Sequence, residues 1–305
     1  MNICIVGAGA IGGWVAARLA LAGESVLALT SRGARESIQI SEAGRTATAR
    51  LTRFEGPADL VIIAVKATAL ANAARSARAF IGAETIIVPM LNGVPWWFVE
   101  GMPLASVDPD GSIAAALPFA QIVGCVVHAS CSRPHADQIV VKHADKLIIG
   151  EPRGGGSARI ETLRATIEDA GIRCDASDNI RRAIWYKLWG NATINPLSAL
   201  TRATADKILA DPECRAWMLE GMGELAAIGA SVGCPIAESG EDRMKVTARL
   251  GAFKTSMLQD VEAGRPIELE ALLGAPREIA RGNGIATPAL DRLYGVTRLM
   301  AASLG

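Results

Sequence analysis

Lys187, Asn191 and Asn195 are spaced four residues apart. That interval places an ammonium and two amides on one face of a helix. The residues around them (Ile184, Trp185, Leu188, Trp189 and Ile194) are strongly apolar, so these polar groups need partners to offset the loss of water. A lysine in such a setting can protonate a carbonyl oxygen and stabilise the negative charge developing on it. The same spacing also suits a lysine whose head reaches water and asparagines that cap an interrupted helix. Pro196 removes a backbone donor and disfavours helical geometry at Asn195, which predicts a bend there.

A second chemical signature lies near the amino end. Gly7-Ala8-Gly9-Ala10-Ile11-Gly12 directly follows the apolar run 2–6 and opens the helical pattern 14–22. A glycine-rich turn in that context binds dinucleotides. Gly7 permits the tight turn, Gly9 lets the backbone approach a pyrophosphate, and Gly12 allows close helix–strand packing. The helix end then offers N–H groups and positive dipole to the phosphates. The end of the second strand selects the cofactor. It reads Leu29-Thr30-Ser31-Arg32, with no acid before Glu36. A carboxylate would hold the ribose hydroxyls of NAD and repel a 2′-phosphate, whereas Arg32 can pair with that phosphate and Ser31 can donate to it. The expected cofactor is therefore NADP (NADPH). The alternative is a ligand-free turn and an ordinary surface arginine.

These residues must be positioned by a fold. Strand patterns at 25–29, 60–65 and 85–90 alternate with helical patterns, and the strands are continuous apolar runs. This implies a parallel sheet covered on both faces, a Rossmann-type α/β domain. Residues 122–130, 138–142 and 146–149 extend the strand theme, with 138–142 pairing as a hairpin element. A helix over 158–170 and a last strand at 172–174 follow. Beyond Asp178 only helical patterns occur, with starts at Asp211-Pro212 and Thr287-Pro288 and stops at Gly264 and Gly282. The expected organisation is a dinucleotide-binding domain over 1–178 and an all-α substrate and catalytic domain over 179–305.

Composition excludes several functions. Lysine plus arginine equals aspartate plus glutamate at 31 each, and aromatics are only 4%, so neither a nucleic-acid surface nor an anionic-membrane surface is expected. The six cysteines contain no C-x-x-C pair, which suits reduced thiols in a cytoplasmic protein. Cys131, His135 and His143 fit no zinc spacing, so no metal is expected. Residues 111–132 are uncharged over nearly a membrane-spanning length, but Pro118, Gln121 and Gly124 interrupt them. They read better as a short helix started by Asp108-Pro109 and then a buried strand. The apolar helical half is compatible with a homodimer.

Five blocks together resemble the ketopantoate reductase (2-dehydropantoate 2-reductase) family over the whole chain. They are Gly7–Gly12, Ala64-Val65-Lys66, Leu91-Asn92-Gly93-Val94, the segment from Lys187 to Pro196, and Ser256-Met257-Leu258-Gln259-Asp260 followed by Glu268. The resemblance implies NADPH-dependent reduction of a 2-oxo acid to a 2-hydroxy acid, with ketopantoate of pantothenate biosynthesis as the leading substrate. It implies Lys187 as the general acid, with Glu268 holding the substrate hydroxyl and orienting the lysine. Asn191 and Asn195 would hold polar groups of the substrate, and Ser256 its carboxylate. Asn92 would sit beside the nicotinamide and Lys187, and Lys66 near the cofactor ribose. Arg32 would meet the 2′-phosphate. On their own, Glu268 and Ser256 would pass for an early helical acid and an ordinary helical serine.

One departure stands out. Pro95-Trp96-Trp97-Phe98 follows Asn92-Gly93-Val94 and points to a paralogous branch. The aromatic run either reshapes the pocket for a bulkier 2-oxo acid or packs as core or dimer contact. A non-catalytic NADP-binding redox sensor is the alternative of a different class, although a sensor needs only the glycine half.

Overall fold

Ile3, Cys4 and Ile5 have no accessible surface, as a strand covered on both faces requires. They belong to β1 (Asn2–Val6), the middle strand of a sheet in the computed structural model, which describes residues 1–303. α1 (Ala10–Leu21) leads to β2 (Ser25–Thr30), and the short edge strand β3 (Gly33–Ala34) folds back on β2 antiparallel. After the antiparallel hairpin β4 (Ser37–Glu42) and β5 (Arg45–Arg50) come β6 (Leu60–Ile63), α2 (Leu70–Ala77) and β7 (Ile86–Pro89). The first sheet has the order β3-β2-β1-β6-β7, with β2, β1, β6 and β7 parallel.

The parallel sheet predicted from the apolar runs is thus present, but it is one of two. α3 (Ser112–Ala116) is followed by the long strands β8 (Gly124–His135) and β9 (Gln138–Gly150), then α4 (Ala158–Asp169) and β10 (Cys174–Ala176). β9 joins β10, β4 and β8 into a mixed second sheet. The segments 138–142 and 146–149, expected as separate strands, are one strand, and residue 172 precedes β10 rather than opening it. The helix expected from Asp108-Pro109 starts later. Gly111 takes a left-handed φ of +69° before Ser112, and the Asp110 carboxylate accepts from the Ser112 N–H at 3.1 Å.

α1 lies in the core shared by both sheets. Trp14, Val15, Ala16, Ala17 and Leu19 are each at most 1% exposed, and they pack with Ile38, Ile40, Ile139 and Leu147 of the second sheet. A Cβ on Gly13 would lie 2.8 Å from Ile139 Cδ1, so α1 approaches β9 as closely as glycine allows. This packing fixes the end of α1 that follows the glycine turn.

The chain divides into two compact units, and not at a single point. Met1–Leu91 and Asp110–Ala183 form the α/β unit; Asn92–Pro109 joins the helical unit that runs from Ile184 onward. The expected boundary between 178 and 179 lies close to the last crossing, between 183 and 184, and leaves out the 92–109 excursion. Helix α5 (Ile180–Thr201) begins in the first unit and continues through Pro196 without ending. The remaining helices are α6 (Ala205–Ala210), α7 (Pro212–Ser231), α8 (Gly240–Ala248), α9 (Ser256–Glu262), a π-turn at Glu270–Gly274, α10 (Ala275–Gly282) and α11 (Pro288–Ser303). The predicted proline starts hold: Asp211 caps α7 by accepting from the Cys214 N–H at 2.8 Å, and Pro288 opens α11. Among the described residues, no helix is long and apolar enough to cross a membrane.

Candidate active site

α5 is held in its unit by indoles. Trp185 Nε1 donates to the Leu225 carbonyl at 3.0 Å and Trp189 Nε1 to the Met222 carbonyl at 2.8 Å, both on α7. Gly229 makes room for the first contact, since a Cβ there would lie 2.3 Å from the Trp185 nitrogen. With the Trp185 and Trp189 edge buried against α7, Lys187 and Asn191 are left half-buried, while Asn195 is 6% exposed.

Lys187 Nζ donates to Asn92 Oδ1 at 3.0 Å. Asn92 Nδ2 in turn faces Glu268 Oε2 at 3.5 Å. Only this amide orientation serves both neighbours, because an ammonium can only donate and a carboxylate only accept. One asparagine therefore links the lysine to the glutamate, from three chain segments far apart in sequence.

The loop carrying Asn92 is seated by the π-turn. The Ala275 N–H returns to the Glu270 carbonyl, five residues back. In that register the Ala271 carbonyl would need the N–H of residue 276, which is a proline and has none. The Val94 N–H fills the vacancy, donating to the Ala271 carbonyl at 2.8 Å. Gly93 passes over the same carbonyl with φ +79°, where a Cβ would lie 2.4 Å from the oxygen. Glu268 stands one residue before the helical turn begins, and its own carbonyl accepts from the Leu272 N–H at 3.2 Å. Its expected place inside the first turn is thus shifted by about one position. Nothing in the lone Asn-Gly-Val triplet pointed to Ala271; the readable signal was Pro276, which leaves a helical carbonyl without its donor.

Ser256 is the first residue of α9 and is exposed, whereas the cap itself is Thr255, which accepts from the Leu258 N–H at 3.2 Å. Trp96 and Trp97 are each 6% exposed and Phe98 is fully buried, stacked on Trp185 at 5.5 Å between ring centroids. The aromatic run is core of the helical unit.

The α/β unit holds the glycine turn. The N–H groups of Gly7 and Ala8 both donate to the Leu29 carbonyl, at 2.9 and 3.1 Å, which pins the turn to the end of β2. Gly7 has φ +98°, and a Cβ on it would lie 2.4 Å from Val65 Cγ1. On Gly12 a Cβ would lie 2.3 Å from the Gly7 carbonyl oxygen. Gly9 differs: its Cβ would meet nothing closer than 4.0 Å, so this face is open. No side chain caps α1 at Gly9, which leaves the donors of its first turn (Ala10, Ile11 and Gly12) for a ligand. An open cradle before an uncapped helix end fits a dinucleotide pyrophosphate. Ser31 and Arg32 follow β2 and are exposed, and half-buried Lys66 follows β6. Among the described residues, no cluster of three or more His, Cys, Asp or Glu side chains could hold a metal.

Comparison with known proteins agrees along the whole chain. The family model for ketopantoate reductase PanE/ApbA matches residues 3–154, and that for its C-terminal domain matches residues 179–301. A 2-dehydropantoate 2-reductase from Mesorhizobium japonicum is 37% identical, covering 100% of this chain and 99% of the relative. A crystal structure from Ralstonia solanacearum MolK2, provisionally assigned as a ketopantoate reductase, superposes with a TM-score of 0.94 at 45% identity over 100% of this chain and 98% of that one. The 2-dehydropantoate 2-reductase of Methylococcus capsulatus gives 0.83 at 28% identity, covering 100% and 98%. The chain belongs to the ketopantoate reductase family.

Proposed function

We propose that this protein is an NADPH-dependent 2-oxo acid reductase that converts ketopantoate to pantoate in pantothenate biosynthesis. The observation that carries the reading is the Lys187–Asn92–Glu268 linkage at 3.0 and 3.5 Å. When bound, NADPH supplies the hydride to the keto carbon. Lys187 supplies the proton to the carbonyl oxygen, so that the alcohol forms without a free alkoxide. Asn92 holds the ammonium in one rotamer, and Glu268 accepts from the hydroxyl-bearing end of the substrate. Asn191 and Asn195, on the same face of α5, hold its remaining polar groups, and Ser256 its carboxylate. The glycine cradle Gly7–Gly12 takes the pyrophosphate, Ser31 and Arg32 the 2′-phosphate, and Lys66 the ribose side of the nicotinamide half.

Burial of Trp96 and Trp97 favours ketopantoate over a bulkier acid, because their rings serve as packing. The full set of polar groups on α5, on α9 and just before the π-turn favours an enzyme over a sensor. The protein acts in the cytoplasm, as six cysteines outside any disulfide suit, and the helical half supplies the surface of a homodimer. The deciding assay is NADPH oxidation with ketopantoate, beside bulkier 2-oxo acids and an NADH control. Efficient turnover of ketopantoate with NADPH supports the reading. Turnover of another acid alone would overturn the substrate, and tight NADPH binding without turnover of any acid would favour the sensor.

A further inference from the structure

The end of β2 opens onto a cavity of ≈ 510 Å³, large enough for part of a nucleotide. Its wall carries three guanidiniums: Arg32 and Arg35 beside β2, and Arg133 near the end of β8. The two carboxylates on the wall are turned elsewhere. Asp137 is taken by Arg35 Nη1 at 2.6 Å, and the exposed Glu36 pairs with Arg53 at 3.6 Å. Arg35 also donates to the Ala136 carbonyl, so one guanidinium ties the β8–β9 turn to the β2–β3 edge. Arg133 lines the same cavity as the residues after β2. Among the described residues, neither Arg32 nor Arg133 has an ion-pair partner. Burial lowers the Arg35 pKa, Asp137 holds it up, and the nearby charge of Arg133 lowers it further. With Asp137 and Glu36 already paired, Arg32 and Arg133 are left as positive side chains that repel one another and favour an anion between them.

We propose that Arg133 is a second anchor for the 2′-phosphate of NADP, acting with Arg32 on the same cavity. The inference rests on the NADP reading above and adds a residue from the second sheet to it. A phosphate accepts paired N–H donors from guanidiniums, and two of them select against a bare ribose more strongly than one.

The test is calorimetric binding of NADPH, NADH, adenosine 2′,5′-bisphosphate and AMP to the full-length protein and its Arg133→Ala and Arg32→Ala variants. Arg133→Ala is expected to weaken NADPH and the bisphosphate on the order of tenfold while leaving NADH and AMP unchanged. If Arg133→Ala binds NADPH like the parent while Arg32→Ala does not, the second anchor is refuted and the NADP reading stands. If the parent protein binds NADH as tightly as NADPH and ignores the 2′-phosphate of the bisphosphate, both fall together.

Discussion

At the scale of single residues, the site turns on one amide. Asn92 accepts from Lys187 and donates toward Glu268, so a single side chain touches both. Replacing it with alanine frees the ammonium to sample other rotamers. Asn92→Ala is therefore expected to cut kcat by roughly tenfold or more without weakening NADPH, since positioning acts on the chemical step. Steady-state kinetics beside a binding titration would check it; equal losses in both would move Asn92 to the cofactor. Arg32→Ala makes the opposite expectation. It should weaken NADPH far more than NADH, and equal losses would refute the 2′-phosphate assignment. Sequence spacing alone revealed the face carrying Lys187, Asn191 and Asn195, because helical period is local. Asn92 and Glu268 were reached through resemblance to a family, because periodicity says nothing about residues so far apart in sequence.

At the scale of elements, a proline places a loop. Pro276 leaves the Ala271 carbonyl without a helical donor, the Val94 N–H takes it, and Gly93 must cross that carbonyl with positive φ. Gly93→Ala would place a methyl against backbone that cannot yield. A loss of roughly 1–3 kcal/mol in stability is expected, along with a drop in turnover as Asn92 shifts. Denaturant melts with parallel rate measurements would show it, and an unchanged protein would refute this account of the loop.

A second junction joins β9 to α4. Glu151 accepts from Ser157 at 2.6 Å and from Arg159 Nε at 2.7 Å, and Arg159 also donates to the Ala120 carbonyl at 2.7 Å. The Arg159 hydrogen bond holds the Glu151 carboxyl below the usual range, against the opposing effect of burial. Its folded pKa is depressed, so the stabilisation is fully present above the unfolded value of about 4.3 and is lost as pH falls through the folded one. Glu151→Gln should cost about 1 kcal/mol at neutral pH, with the difference from the parent shrinking in acid. A constant difference across that range would contradict it. The helices and apolar strands were legible because their periods and caps are local. The β4–β5 hairpin was not: β5 reads Arg-Thr-Ala-Thr-Ala-Arg with one buried residue, so it carries no apolar run. It pairs with β4, which in turn pairs with β9.

At the scale of the whole molecule, the chain leaves the α/β unit at Leu91 and returns at Asp110, carrying Asn92 into the helical unit. All of Asn92, Lys187, Asn191, Asn195, Ser256 and Glu268 thus belong to one unit, and the glycine cradle with Arg32 and Lys66 to the other. A break placed near residue 178 could be read from the loss of strand patterns. The 92–109 excursion left no such mark, since its aromatic and proline-rich stretch suits a loop of either unit. The thiols follow from the packing of the α/β unit. Burial pushes Cys4, Cys131 and Cys174 up to about 12, so at neutral pH they are protonated and poorly nucleophilic. A thiol-labelling reagent should modify all three slowly in the native protein and quickly after unfolding; rapid native labelling of Cys4 would contradict that core.

In the proposed reaction, hydride from NADPH and a proton from Lys187 meet on one carbonyl. Single-turnover NADPH oxidation by ketopantoate, measured in the parent and in Lys187→Ala alongside NADPH binding, decides whether they do. The variant is expected to bind NADPH unchanged and to turn over on the order of a hundredfold more slowly. An unaltered single-turnover rate would remove Lys187 from the chemistry and contradict the account.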